Sequence, residues 1–164
     1  MASRHSRLIQ EDGVALLVRH AHAGSRGSWD GPDDERPLSH KGRRQAEALV
    51  GRLAKFSPTR VLCSPFLRCV QTVEPFAEKF AMTIDLEARL QEGSGAALLD
   101  GMFLANQSTV LCTHGDVVRR VLVSLASKGV ELPPVLRDAK GSIWVLRYRD
   151  GEVVSAKYLE APSS

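Results

Sequence analysis

A mostly parallel α/β fold is what this sequence predicts, and three observations carry it. Short apolar runs alternate with longer stretches of helical periodicity along most of the chain. Three of those runs, VALLV, RVLC and TVLCT, are apolar throughout, as strands covered on both faces must be. Near the C-terminus, SIWVLRY and EVVSAKY flank Arg149-Asp150-Gly151, and Asp-Gly between two β-type runs marks a hairpin. Together they predict a three-layer α/β/α sandwich with a mostly parallel central sheet and an antiparallel edge hairpin.

Val14–Val18 is the first buried strand. Gly24–Leu38 is dense in turn residues and reads as a loop. Ser39 stands as an N-cap before Ala46, Leu49, Val50 and Leu53, whose spacing gives a helix to about Lys55. Arg60–Cys63 is a second strand. Ser64-Pro65 then reads as a cap with proline at the first helical position. Phe66, Cys69, Val70 and Val73 form that helix's apolar stripe, which Pro75 should kink or restart. Thr83–Leu86 is a third strand, Gly95–Asn106 a helix, and Thr109–Thr113 a buried strand. From Gly115 to about Ser127, Val117, Val118, Val121, Leu122 and Leu125 face the core of a last long helix.

A chain of 164 residues suits one domain, burying roughly two thirds of its unfolded surface. With no repeat, linker or low-complexity tract, residues 13–160 form a single domain behind a flexible N-terminal tail, 1–12. The net charge of +3 is mild and no basic run is interleaved with aromatics, so nucleic acid is not an expected partner. No apolar run approaches the ~20 residues of a membrane span, and MASRHSRLIQEDG lacks the apolar segment of a signal peptide. Cys63, Cys69 and Cys112 are odd in number and form no CxxC pair, which excludes a disulfide framework or zinc ribbon. They fit a reducing compartment, and a soluble cytoplasmic protein is expected.

Three apolar strands each end in a polar cluster: Arg19-His20, Ser64-Pro65 with Arg68 one turn on, and Thr113-His114-Gly115. Ligands of open parallel sheets bind outside the carboxyl ends of the strands, so these clusters should converge on one crevice. Two arginines grip a phosphoryl dianion through their planar forks. A neutral imidazole attacks phosphorus, and a second one hydrogen-bonds the equatorial oxygens as charge shifts. Flanking guanidinium groups should keep His20 neutral by lowering its pKa. The rival is a metal site built from His20, His22, His114 and Asp116. It fails on size, since a (β/α)₈ barrel needs about 250 residues, and on charge, since paired arginines repel a dication.

The motifs carry a resemblance. Arg19-His20-Ala21, the block Leu38-Ser39-His40-Lys41-Gly42-Arg43-Arg44-Gln45-Ala46, the pattern Ser64-Pro65-x-x-Arg68-x-x-Gln71-Thr72, and Thr113-His114-Gly115 occur in order over Leu16–Val123. In these the chain resembles the histidine phosphatase superfamily, also called phosphoglycerate mutase-like, and within it the short SixA-type branch. The resemblance implies a metal-independent phosphatase that needs no cofactor and works through a phosphohistidine on His20. Arg19 and Arg68 would be phosphate clamps and His114 the second pocket histidine. Glu92, in Leu90-Gln91-Glu92, would be the proton donor, in competition with Asp116 and Asp30; the block that follows in the family is reduced here to GSGAALLDG. Ser64 would offer its hydroxyl or backbone to substrate, or only cap its helix.

Arg26–Asp33 is also similar to an Arg-x-x-Trp-x-Gly-x-Asp loop of actinobacterial histidine phosphatase domains fused to Nudix hydrolases. On it, Trp29 would either stack a base or simply pack. The implied partner is a phosphorylated protein, or a small phosphorylated metabolite or nucleotide. The alternatives are phosphoglycerate mutase-type phosphotransfer and a non-catalytic phospho-binding module. His22 has no family role and is read as a rim or loop residue.

Overall fold

The computed structural model describes residues 12–94 and 107–163. The strands are β1 (Asp12–Arg19), β2 (Arg60–Cys63), β3 (Ile84–Leu86), β4 (Ser108–Thr113), β5 (Ile143–Arg149) and β6 (Glu152–Leu159). The helices among the described residues are α1 (His40–Ala54), α2 (Leu67–Lys79) and α3 (Gly115–Ser127). The strands form one sheet in the order β3-β2-β4-β1-β5-β6. β3, β2, β4 and β1 pair in parallel, while β5 runs antiparallel to both β1 and β6. The predicted parallel sheet with its edge hairpin is therefore the observed one. At the hairpin turn, Asp150 and Gly151 both have positive φ (55° and 78°), the conformation that Asp-Gly supplies.

The continuous apolar runs follow from two covered faces. Ala15, Leu17, Leu111, Trp144 and Leu146 point to one side, where Val117, Val121, Leu122 and Leu125 of α3 meet them. Leu16, Val18, Val110 and Val145 point to the other, against Leu49 and Leu53 of α1 and Val73 and Phe76 of α2. Side chains alternate across a strand, so a strand between two helical layers must be apolar at every position. Each such Leu or Val contributes about 1.5–3 kcal/mol relative to exposure.

Three details depart from expectation. β1 begins at Asp12, because Asp12 and Gly13 continue the ladder opposite Arg149 and Tyr148. The helix after β2 starts at Leu67, with Phe66 extended at ψ 135°, so Ser64 is not its cap. Pro75 lies inside a continuous α2 and does not divide it. The helix is seated in the core on either side of it by the buried Cys69, Val73, Phe76 and Ala77. The helix expected over Gly95–Asn106 lies outside the described residues. The three cysteines are free and buried, and among the described residues no helix is long and apolar enough to cross a membrane.

Candidate functional site

From β1 the chain leaves toward β2 on one face of the sheet, and from β4 it leaves through α3 toward β5 on the other. The carboxyl ends of these neighbouring strands therefore flank a topological switch point, where a crevice opens. His20 N–H donates to the Thr113 carbonyl at 3.0 Å, carrying the β1–β4 pairing one residue past the strand end. That bond sets His20 beside His114, with ring centroids 5.5 Å apart at 66°.

His20 is 4 % exposed. Its Nδ1 lies 2.8 Å from the Ala21 carbonyl, which can only accept, so Nδ1 carries the proton and Nε2 keeps a free lone pair. Burial lowers the imidazole pKa to about 2; the Ala21 bond opposes this, while His114, Arg68 and Arg19 reinforce it. The expected neutral histidine is what the geometry provides, although burial outweighs the flanking arginines as its cause.

Arg19 donates through Nη1 to the Asp138 carbonyl at 2.6 Å. Its guanidinium lies over the first residue of α3, where a Cβ on Gly115 would stand 2.7 Å from Arg19 Cζ. Glycine in the Thr-His-Gly motif is thus the space that Arg19 occupies. Arg68 is fully buried. Its Nη1 donates to the Asp33 carbonyl at 2.7 Å, and its Nη2 donates to Asp33 Oδ2 at 3.1 Å and Glu92 Oε1 at 2.7 Å. Arg26 Nη2 closes on the other Glu92 oxygen at 2.8 Å.

His114 is 1 % exposed. Ser64 Oγ accepts from Phe66 N–H at 3.3 Å and lies 2.9 Å from His114 Nε2. With the imidazole proton on Nδ1, Nε2 accepts from the Ser64 hydroxyl; with it on Nε2, the ring donates to that oxygen instead. Nδ1 sits 3.3 Å from Glu92 Oε1 but makes no hydrogen bond there. Ser64 is fully buried and reaches the crevice only through His114. Among the described residues, Arg19 Nε, Arg68 Nε and His114 Nδ1 are all buried without a hydrogen-bond partner. Such groups are costly unless something pairs with them, and an oxyanion is the natural acceptor for the two guanidinium N–H groups and for His114 Nδ1 in its protonated tautomer.

The remaining motif residues hold this frame. Ser39 Oγ accepts from Gly42 N–H at 3.1 Å, capping α1 as predicted, and donates to the His22 carbonyl at 3.1 Å. A Cβ on Gly42 would lie 1.9 Å from that carbonyl oxygen, so only glycine permits the approach. Gln45 accepts from His22 N–H at 2.9 Å, and Gln71 accepts from Leu38 N–H at 2.8 Å. His22 itself places Nδ1 2.6 Å from Ser39 Oγ, a loop-fastening role.

The other candidates fall outside the cluster. Asp116 is turned to Gly93 N–H at 2.8 Å and Arg120 at 3.0 Å, so it braces the segment that bears Glu92. Asp30 is exposed, with no bond to the cluster. Trp29, 37 % exposed, donates Nε1–H to the Pro32 carbonyl of its own loop.

Three neighbours escaped the sequence reading. Asp33 meets Arg68 as described; burial alone would raise its pKa, but Arg36, Arg68 and Arg26 hold the carboxyl below its ordinary value. Arg36 is 7 % exposed and ties Asp33 Oδ1 to the Ala23 carbonyl. Lys140 precedes the β5 strand; burial and then Arg19, Arg36, Arg68 and Lys41 push its ammonium pKa down.

A family model described as the histidine phosphatase superfamily (branch 1) matches residues 15–102. An 8-oxo-(d)GTP phosphatase of Mycolicibacterium smegmatis is 38 % identical over 159 residues. The match covers 91 % of this chain and 48 % of the relative, so the chain spans about half that protein's length. The fold is shared with the protein histidine phosphatase SixA complexed with tungstate (TM-score 0.67, 20 % identity, covering 92 % of this chain and 96 % of that one). It is shared too with a mycobacterial glucosyl-3-phosphoglycerate phosphatase in complex with VO3 (TM-score 0.66, 17 % identity, 92 % and 99 % covered).

Proposed function

Since the chain belongs to branch 1 of the histidine phosphatase superfamily, we propose that it is a phosphatase in which His20 is the phospho-accepting nucleophile. The carrying observation is the Nδ1–H bond to the Ala21 carbonyl, which leaves Nε2 of a buried neutral imidazole free in a crevice of cationic donors. Nε2 attacks phosphorus, the bond to the leaving group breaks, and Glu92 supplies the leaving group's proton. Water then attacks the phosphoimidazole, giving its proton to Glu92 and releasing phosphate and neutral His20. Arg19, Arg68 and His114 Nδ1 hold the equatorial oxygens through both steps. The arginines neutralise the charge that a metal ion would otherwise meet, so turnover is expected to survive a chelator.

The substrate is a phosphohistidine protein or a small phosphorylated metabolite or nucleotide. The 8-oxo-(d)GTP phosphatase relative supports the nucleotide among these. Trp29 and Ser64 act on it indirectly, through the loop and through His114. Incubation with a ³²P-labelled phosphodonor is expected to label the wild-type chain and not His20→Ala; equal labelling of both would overturn the assignment. A panel of phosphohistidine protein, nucleoside diphosphates, sugar phosphates and 4-nitrophenyl phosphate, with and without chelator, then ranks the substrates.

A further inference from the structure

Arg68 keeps Nε without a partner, but both of its terminal nitrogens are taken by the protein. Its Nη1 and Nη2 meet the carbonyl and carboxylate of a single residue, Asp33, at 2.7 and 3.1 Å. Asp33 sits on the loop after β1 and presents a two-pronged acceptor to the guanidinium edge, the shape in which a phosphoryl group would approach it. Its other oxygen, Oδ1, accepts from Arg36 Nε at 3.1 Å and lies 3.4 Å from Arg26 Nε. A carboxylate displaced from Arg68 would therefore keep two cationic partners, which lowers the cost of release.

Glu92, the second acceptor on Arg68, differs in its mounting. Its neighbours Gly93 and Ser94 are fastened to α3 through Asp116 and Arg120, at 2.8 and 2.9 Å. Asp33 is held by arginine side chains and by one backbone bond within its own loop, from Arg36 N–H to the Asp33 carbonyl at 3.2 Å, in a strap whose turns are short 3₁₀ segments. The strap is the part built to let go.

We propose that Asp33 is an internal competitor for the phosphoryl group. Substrate binds only when the strap releases Arg68, and the return of Asp33 to Arg68 helps expel inorganic phosphate after turnover. This rests on the reading of Arg68 as a phosphate clamp. A site that is open only part of the time binds more weakly by the fraction of time it is open, so Asp33 sets the apparent affinity for every oxyanion that uses Arg68.

Calorimetric titration with inorganic phosphate tests this on wild type, Asp33→Asn and Arg68→Ala. Asp33→Asn is expected to bind phosphate about tenfold tighter, with the product-inhibition constant falling by the same factor. Unchanged or weaker binding would overturn the proposal and make Asp33 an orienting partner of Arg68. A second arm needs only the wild-type fold. Trp29 is tied to the strap through the Pro32 carbonyl, whereas Trp144 is 1 % exposed in the core. Phosphate should therefore change the fluorescence of wild type and not of Trp29→Phe; binding without that change would also overturn the proposal. Phosphate binding to Arg68→Ala as tight as to wild type would sink the clamp reading itself and the strap with it.

Discussion

Arg19 stands on the β1 wall of the crevice, its side chain 24 % exposed, with the Asp138 carbonyl as its hydrogen-bond acceptor. Arg68 stands on the α2 wall with no exposure, against two carboxylates. Both are expected to grip the same ligand, yet burial divides them. A guanidinium removed from water requires counter-charges, and those counter-charges then compete with the anion it exists to bind. The open arginine is placed by the missing Cβ of Gly115, by the Asp138 carbonyl and by one looser ion pair, 3.7 Å from the Asp138 carboxylate, and stays ready. The difference is one of availability against order.

The sharpest way to break this comparison is to remove each arginine in turn. Losing one partner of a buried ion pair costs about 3–5 kcal/mol. For Arg68→Ala we expect roughly 1–3 kcal/mol, because solvent screens Asp33 and Glu92, which are 35 % and 30 % exposed. Arg19→Ala should cost under about 1 kcal/mol while still abolishing most turnover. Urea denaturation distinguishes the two, and equal stability losses would erase the distinction between the walls.

Glu92 belongs to the Arg68 wall, and Glu92→Gln asks whether it does more than balance charge. Turnover of an alkyl phosphate should fall about a hundredfold or more, while 4-nitrophenyl phosphate, whose leaving group needs no proton, loses little. A uniform loss on both esters would assign Glu92 to binding alone.

Acid reads the space between the walls. His20 has a folded pKa of about 2 against 6.5 when unfolded, so below pH 6.5 only the unfolded chain gains this proton. Stability is then lost as pH falls through that window, with a slope from His20 of about 1.4 kcal/mol per pH unit. The slope between pH 6 and 4, measured by denaturation, should be shallower in His20→Ala by about that amount. The smallest expected effect belongs to Gly115→Ala. Its Cβ displaces the Arg19 guanidinium, so KM should rise about threefold to tenfold with the melting temperature nearly unchanged, as for the loss of one partly exposed contact.

The layered architecture was legible because period and composition agree at most positions. β2 and α3 begin and end at the residues expected, and Asp150-Gly151 turns the hairpin. Ser64-Pro65 misled because the serine hydroxyl, while accepting from Phe66 N–H, also pairs with His114, 50 residues away, and the helix starts only at Leu67. Three of the four motif groups were readable as chemistry because each ends an apolar strand. Asp33 and Arg36 were not, since GPDDERP has the composition of an exposed turn. Only the fold shows that one of its carboxylates is paired with a buried arginine.

One hydroxyl links the two walls. Thr72 Oγ1 accepts the Ala21 N–H at 2.9 Å and donates to the Arg68 carbonyl at 2.7 Å. The peptide after the nucleophile and the peptide bearing the second clamp therefore share a single atom as their common bearing. Any displacement of α2 drags the His20 loop with it, so the spacing between attacking nitrogen and clamp is preserved even when the surrounding protein breathes.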